Sequence, residues 1–271
     1  MKKKKDRTIP EEKGLDLKPI PENETFTFSC YPGISCFNVC CCRIDVILTP
    51  FDVLFMKNRL GVPSDRFLAD YTFLQKLKGT DIPLVKLKMH SDGKKKDRCV
   101  FLGDDGCRIY GSRPAVCRNY PLGTATQDPK EGSGGIPCFI VKEDMCKGHF
   151  EKRKWSATDW KKDQGVLELD ELNRPWLEIV AKLKKLSLKD DRDQKMNIFV
   201  MTCFDLDTFR KMVFHSSFLE RFDIDQKTVQ LIESKEKNLL QFGFRWLNFA
   251  LFGEGPIKPK PNFRRPKPHS Q

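Results

Sequence analysis

The chain has 271 residues, of which 39% are hydrophobic and 11% aromatic, so it can build a sizeable core and is not globally disordered. Its formal net charge of +12 lies mostly in two basic tails, residues 1–7 and 256–271, a distribution that does not predict a nucleic-acid-binding face. No apolar segment follows the basic start, so we expect no signal peptide or transmembrane segment and a cytoplasmic protein.

The first predicted elements follow a Lys-, Pro- and Glu-rich tail, residues 1–24, for which disorder is expected. Residues 46–48 read as a short strand. Thr49 then has the position of a helix N-cap, with proline next and Asp52 at the third helical position. Gly61 is expected to end this helix.

The middle of the chain predicts short elements separated by turns. Ser64 is expected to cap a second helix over "DRFLADYTFLQKLK". The other expectations are a strand over 83–89, a turn at "SDGKKKD", a hairpin over 99–110, a short helical turn carrying Cys117, a loop over 123–137 and a strand from Cys138.

The C-terminal part reads as mostly helical. Ser156 and Asp159 form a capping box that opens a helix, and another helix is expected to start near Pro175. The apolar run over 195–204 is predicted to be a buried strand. The last expectations are a cap at Asp205 or Asp207 for the next helix and a final helix from about Lys227 to Phe252.

These elements predict an α+β protein: a small, irregular cysteine-rich body with short strands and helices, and a mostly helical C-terminal part. The expected division has a disordered basic tail over 1–24 and a metal-binding domain over 25–190. A helical part packed on that domain follows over 191–253, and a basic Pro-rich tail ends the chain over 254–271.

Cysteine is the most informative residue type in this sequence. Ten of the eleven cysteines lie between residues 30 and 146, while Cys203 stands apart in an apolar segment and is expected to be a small buried hydrophobe. In a reducing compartment such a group favours metal or redox chemistry over disulfides. Thiolates select soft ions: zinc, copper(I) or the iron of iron–sulfur clusters.

The spacing leaves several arrangements open. Cys36 and Cys40 are spaced so that two thiolates can meet one ion, and Cys99 and Cys107 flank a tight turn that would bring their sulfurs close. Packing alone does not explain so dense a group, and the Cys-x-x-Cys of a redox centre is absent. Neighbouring Cys40 and Cys41 point in different directions in most backbones, so they serve different ions, or one binds while the other packs.

The motif "CxxxxxCxxxCC…LTPxD", followed by "CxFL…GCxIYxxRPxxCRxYPLG" and "CKGH", resembles the YkgJ-like cysteine-cluster family of zinc- or iron-chelating proteins over residues 26–165. Related clusters occur in flagellin lysine N-methylases. The resemblance implies metal ligands at Cys30, Cys36, Cys40, Cys41, Cys99, Cys107, Cys117 and Cys146. Cys42 is an extra cysteine, Cys138 is unassigned, and His149 is expected to support the site or lie at the surface.

An iron–sulfur cluster or iron ion is favoured, with zinc as the alternative, because eight thiolates exceed what one structural zinc needs. The spacing matches neither ferredoxin pattern, which does not exclude a cluster. Arg113 and Arg118 are expected to hydrogen-bond carbonyls or thiolates around the site. The main hypothesis is a metal-binding protein. The alternatives are an S-adenosylmethionine-dependent protein-lysine methyltransferase, and an interaction protein with structural zinc and an unknown protein partner.

Overall fold

A computed structural model describes residues 19–21, 24–42, 44–90, 97–124, 138–186 and 191–261. Both helices and short antiparallel strands are present, which confirms the predicted α+β class. The strands are β1 (Thr25–Thr27), β2 (Ile47–Leu48), β3 (Thr72–Lys76), β4 (Pro83–Leu87), β5 (Met89–His90), β6 (Arg98–Cys99), β7 (Leu102–Gly103), β8 (Gly106–Cys107), β9 (Leu122–Thr124), β10 (Cys138–Ile140) and β11 (Lys154–Ser156).

The α-helices are α1 (Pro50–Leu60), α2 (Ser64–Tyr71), α3 (Ala115–Asn119), α4 (Ala157–Asp163), α5 (Val166–Lys185), α6 (Arg192–Phe204), α7 (Leu206–Phe214), α8 (Phe218–Arg221), α9 (Gln226–Ser234) and α10 (Glu236–Phe252). Short 3-10 helices cover Val39–Cys41, Tyr110–Ser112 and Lys147–Phe150. Among the helices that the structure describes, none is long and apolar enough to cross a membrane.

The chain divides into two compact units. Unit 1 comprises Met1–Phe37 and Asn119–Trp160, and unit 2 comprises Asn38–Arg118 and Lys161–Gln271. Each unit is therefore built from two separate stretches of chain. The domain boundaries expected from the sequence stay a prediction.

Unit 1 is held by two small antiparallel sheets and an aromatic core. Strand β1 pairs with β11, and β9 pairs with β10. The core consists of Phe28, Leu122, Trp155 and Trp160. The Trp155 indole N–H donates to the Phe28 carbonyl at 2.9 Å, so even this buried ring has its polar group satisfied.

Unit 2 contains a three-stranded antiparallel sheet in the order β2-β4-β3 and a large helical core. Leu48 and Val85 face each other across β2 and β4, and both side chains are fully buried. Helix α1 contributes Phe51 and Met56 to the core, again without solvent exposure. Most of the apolar burial that stabilises the described chain lies in this unit.

Several local predictions are confirmed. Thr49 and Asp52 form a reciprocal capping box at the start of α1, and Gly61 ends that helix in the left-handed conformation at φ 67°. Ser156 caps α4, because the Asp159 N–H donates to Ser156 Oγ at 3.0 Å and the Ser156 hydroxyl donates to the Asp159 carboxylate at 2.7 Å. Asp205 caps α7 by accepting from the Thr208 N–H. These signals depend on neighbouring residues alone, which is why the sequence carries them.

The predicted strand over 195–204 is wrong, because this segment lies within α6. Its buried side chains include Met196, Phe199 and Cys203, at spacings of three and four residues that define one helical face. The long apolar run obscured that period. Cys203 is 1% exposed, which confirms its prediction as a small buried hydrophobe.

The predicted second helix is too long, because it ends at Tyr71 and the chain continues as β3, paired to β4 along its whole length. Ser64 is the first residue of α2 and not its cap. Its hydroxyl donates to Asp205 at 2.7 Å, a tertiary contact that the local sequence does not reveal.

Two helix boundaries near the C-terminus also differ. Helix α5 begins at Val166 and contains Pro175, because an apolar stripe with Leu172, Trp176 and Ile179 continues past the proline and stays buried. The predicted last helix is divided at Lys235 into α9 and α10. The predictions for the two tails, the "SDGKKKD" turn and the 123–137 loop fall largely on residues 1–18, 91–96, 125–137 and 262–271, outside the described residues.

Candidate metal centre

A hairpin in unit 2 carries one predicted ligand and follows directly after another. Strands β7 and β8 pair antiparallel, with Leu102 opposite Cys107, and a two-residue turn lies between Gly103 and Gly106. Cys99 lies on β6, just before this hairpin, opposite Met89. The predicted hairpin is thus confirmed around its Gly-Asp-Asp-Gly turn, although its strands are shorter than expected.

The vicinal cysteines lie on the 3-10 helix Val39–Cys41. Asn38 precedes it with φ 67°, and the Cys41 N–H donates to the Asn38 carbonyl at 3.0 Å. Cys42 then forms an antiparallel bridge with Arg98. Because Arg98 adjoins Cys99, this bridge brings the Cys40–Cys41 pair to the strand that carries Cys99.

Cys117 is the third residue of α3, and two arginines brace the segment around it. The Arg118 guanidinium donates to the carbonyls of Arg113, Gln164 and Gly111. Arg113 donates to the Tyr110 carbonyl at 3.1 Å. The predicted hydrogen bonding of both arginines to carbonyl groups is confirmed.

Five thiols of unit 2 lie close enough to influence one another's ionisation. A hydrogen bond with Cys40 is the largest cause that raises the pKa of Cys41, followed by burial and by repulsion from Cys40, Cys99 and Cys117. The pKa of Cys117 is raised to about 12, mainly by burial and also by repulsion from Cys99 and Cys40, while the Arg113 charge lowers it.

Cys99 and Cys107 follow the same pattern. Burial is the largest cause that raises the pKa of each thiol, and repulsion from Cys40 adds to it in both cases. Backbone N–H groups and, for Cys107, the Arg113 charge act in the opposite direction. The structure therefore groups Cys40, Cys41, Cys99, Cys107 and Cys117, which we call the five-thiol cluster.

The other predicted ligands, Cys30, Cys36 and Cys146, lie in unit 1. The Lys147 N–H donates to the Cys36 sulfur at 3.1 Å, which places Cys36 beside the residue that follows Cys146. The Ser29 N–H donates to the Gly148 carbonyl at 3.2 Å and sets Cys30 next to the same 3-10 helix. Two short segments, 29–37 and 146–149, thus carry all three cysteines.

Gly148 permits the close approach of these two segments. A Cβ at this position would lie 2.7 Å from the Ser29 carbonyl oxygen and 2.7 Å from the Phe28 ring. Both distances are shorter than any tolerated contact, so only glycine fits here. The glycine of "CKGH" is therefore explained by packing.

His149 lies on the same 3-10 helix, against the rings of Phe28 and Tyr120 at 5.4 Å and 6.2 Å between centroids. Its Nε2 atom is buried and has no hydrogen-bond partner among the described residues. Burial lowers the pKa of the imidazole, and the Lys142 charge lowers it further. A neutral ring with an unpaired nitrogen fits the supporting role that the sequence suggests, which stays a prediction.

Across the residues that the structure describes, no group of three or more His, Cys, Asp or Glu side chains converges on a point that could hold one metal ion. The thiols are gathered but not aimed at a common centre. The donor chemistry nevertheless fits a soft or borderline cation, because Cys40 is exposed, the other four thiols are partly exposed, and side-chain rotation about Cα–Cβ can turn them.

Sequence reasoning missed one residue of this region. The sequence predicts only a helix-capping role for Asp52. In the structure, its second carboxylate oxygen accepts a hydrogen bond at 2.8 Å from the N–H of Ala115, which lies on the helix that carries Cys117. No local signal reveals this bond because the two residues are 63 positions apart.

A cysteine-rich protein with a gathered set of thiols, in an α+β fold of short strands and helices, is the class that these observations define. Residues 29–147 match the model of the CxxCxxCC family, described as a "putative zinc- or iron-chelating domain". The match covers all eight predicted ligands in somewhat less than half of the chain, and it confirms the resemblance to the cysteine-cluster family. No curated protein and no solved structure matches the chain.

Proposed function

We propose that the five-thiol cluster holds a metal centre, an iron–sulfur cluster or an iron ion, with zinc as the alternative. The observation that carries this proposal is the antiparallel bridge between Cys42 and Arg98, which brings the Cys40–Cys41 pair to the strand of Cys99. The raised pKa values of Cys41, Cys99, Cys107 and Cys117 agree with thiols that lie close together. The cluster joins cysteines that lie far apart in the sequence, on the 3-10 helix Val39–Cys41, on β6, on β8 and on α3.

The electrostatics supports a cation at this place. Several ionised thiols repel one another, so without a positive charge the cluster keeps its protons near neutral pH. A bound metal supplies the compensating charge and displaces those protons. The Arg113 charge already acts in this direction on Cys107 and Cys117.

The number of donors is sufficient for either metal. A structural zinc site takes four ligands, and four thiolates also hold a common iron–sulfur cluster, so five gathered thiols leave one in excess in both cases. Cys30, Cys36 and Cys146 are proposed as further ligands within unit 1, where the Lys147 N–H already supports the Cys36 sulfur. Hydrogen bonds to sulfur stabilise thiolate ligands and shift the reduction potential of a cluster.

Metal analysis after anaerobic purification tests the proposal. Iron with acid-labile sulfide and a brown charge-transfer absorbance would support the cluster, and stoichiometric zinc in a colourless protein would replace iron by zinc. Cys41→Ser and Cys117→Ser should each lower the metal content, while Cys203→Ala, which changes a cysteine of the helical core, should not. Unchanged content in both serine variants would contradict the ligand assignment.

The physiological role is a separate question. The methyltransferase hypothesis rests on the resemblance alone and stays a prediction, testable by methyl transfer from S-adenosylmethionine to lysine peptides. The interaction hypothesis, with structural zinc and a protein partner, and the cytoplasmic location stay predictions as well.

A further inference from the structure

Asp52 is a buried carboxylate that connects the start of α1 to the helix that carries Cys117. Its exposed fraction is 2%, and each of its oxygens accepts a hydrogen bond from a different helix start. We propose that Asp52 is the positioning residue that holds Cys117 in the metal-binding geometry of the five-thiol cluster. This inference rests on the proposed function.

Two short hydrogen bonds to the Asp52 carboxylate connect the start of α1 with the start of α3. Asp52 Oδ2 accepts from the Thr49 N–H at 2.8 Å, and Oδ1 accepts from the Ala115 N–H at 2.8 Å. Ala115 is the first residue of α3, a helix of five residues, and Cys117 follows two positions later. In so short a helix, a shift of the first residue is transmitted directly to the thiol.

The start of α1, which carries Asp52, is fixed in the core. Phe51, the neighbour of Asp52, is fully buried, and its N–H donates to the Asn173 side chain on α5 at 3.4 Å. Asn173 is 3% exposed and donates to the Leu169 carbonyl within its own helix. The start of α1 is therefore a rigid base from which the carboxylate reaches α3.

Asp52 acts on Cys117 through the position of α3. The bond from the Ala115 N–H to the carboxylate favours one placement of α3 in every ionisation state of the thiol.

Asp52→Asn separates this role from simple helix capping. The side-chain amide keeps one acceptor oxygen and places an N–H₂ group against the second N–H donor, so one of the two bonds is lost. Thr49→Ala is the matched control, because it removes only the Thr49 hydroxyl that accepts from the Asp52 N–H at 3.2 Å. Both carboxylate bonds survive in the control.

The readout is alkylation of the zinc-loaded, reduced protein, mapped by mass spectrometry. In the wild type and in Thr49→Ala, bound zinc should protect Cys117 as well as it protects Cys107. In Asp52→Asn, Cys117 should be alkylated about tenfold faster relative to Cys107, the factor expected for one lost hydrogen bond to a charged acceptor. Cobalt-loaded Asp52→Asn should also show the charge-transfer intensity of one thiolate fewer.

A second variant covers the case in which Asp52→Asn does not fold. Ala115→Pro removes the N–H donor while leaving the capping box intact, and proline is well tolerated at the first position of a helix. It should expose Cys117 in the same way. Equal protection of Cys117 in the foldable variants and in Thr49→Ala would overturn the proposal.

Failure of the proposed function gives a different result. If the wild type holds no iron after anaerobic purification and takes up neither zinc nor cobalt, the metal proposal falls. Alkylation of the metal-free proteins then still tests the placement of Cys117, because Ala115→Pro, which keeps the Asp52 charge, should react about tenfold faster there than Thr49→Ala. Equal rates in that experiment would remove the positioning role of Asp52.

Discussion

Alkaline pH should destabilise the metal-free protein because the fold holds several thiols in their neutral form. Burial is the main reason that the pKa of Cys117 rises from a thiol's ordinary 9.0 to about 12. A group whose folded pKa exceeds its unfolded pKa contributes fully below the unfolded value and loses that contribution as the pH approaches the folded value. The window for Cys117 therefore runs from pH 9.0 to about 12.

The size of the effect follows from the same shift. Each pH unit inside the window removes about 1.4 kcal/mol from the free energy of unfolding for one such group. Two units above the ordinary thiol value, Cys117 alone should account for about 2–3 kcal/mol. Cys99 and Cys107 have raised pKa values and act in the same direction. A loss of this size is a large fraction of the stability of a typical domain.

Urea denaturation of the reduced, chelator-treated protein between about pH 8 and pH 11 measures this loss. Cys117→Ala is the matched variant, because lysine and tyrosine titrate equally in both proteins. The stability difference between wild type and variant should fall by about 1.4 kcal/mol per unit above the ordinary thiol pKa. A difference that stays constant over this range would refute the argument that Cys117 is held neutral by its environment.

Three further changes test packing and buried charge by the midpoint of urea denaturation. Gly148→Ala would force a methyl group to 2.7 Å from a backbone oxygen, and Gly243→Ala would place one 2.8 Å from a methyl carbon of α6, so each should cost about 1–3 kcal/mol. Gly111→Ala meets open space and should change stability by no more than about 0.5 kcal/mol. Glu236→Ala removes the 2.7 Å partner of a buried ammonium and should cost more than Lys57→Met, which removes the buried charge itself.

Local chemistry explains which elements could be predicted. The capping box at Thr49 and the cap at Ser156 satisfy N–H groups within the same four residues, so their sequence signal is complete. The segment 195–204 carried no such signal, and a nearly unbroken apolar run is compatible with either a buried strand or a buried helix. Only packing of its Phe199 face into the helical core decides between them.

The candidate site also has features that the sequence predicts and features that it does not. The cysteines and their motif could be identified from the sequence, because ligand type and spacing are local properties. Their grouping could not, since it depends on the bridge between Cys42 and Arg98 and on the bond between Asp52 and Ala115. Both contacts join residues more than fifty positions apart, and no propensity or periodicity specifies such a pairing.

The same burial that keeps the metal-free thiols protonated would make the proposed metal centre selective for an ion that binds thiolates strongly. A cation that binds thiolates must offset the desolvation of each sulfur and the repulsion among neighbouring sulfurs, which raise the pKa values of Cys41 and Cys117. Hard ions such as Mg²⁺ prefer oxygen ligands and bind thiolates too weakly to offset the desolvation and repulsion, whereas iron and zinc form strong bonds to thiolates. The Arg113 charge lowers the pKa values of Cys107 and Cys117 and so already favours their thiolate forms. In the proposed metal centre the sulfurs would be neutral thiols without metal and thiolates with it, so metal uptake and proton release would be one coupled event.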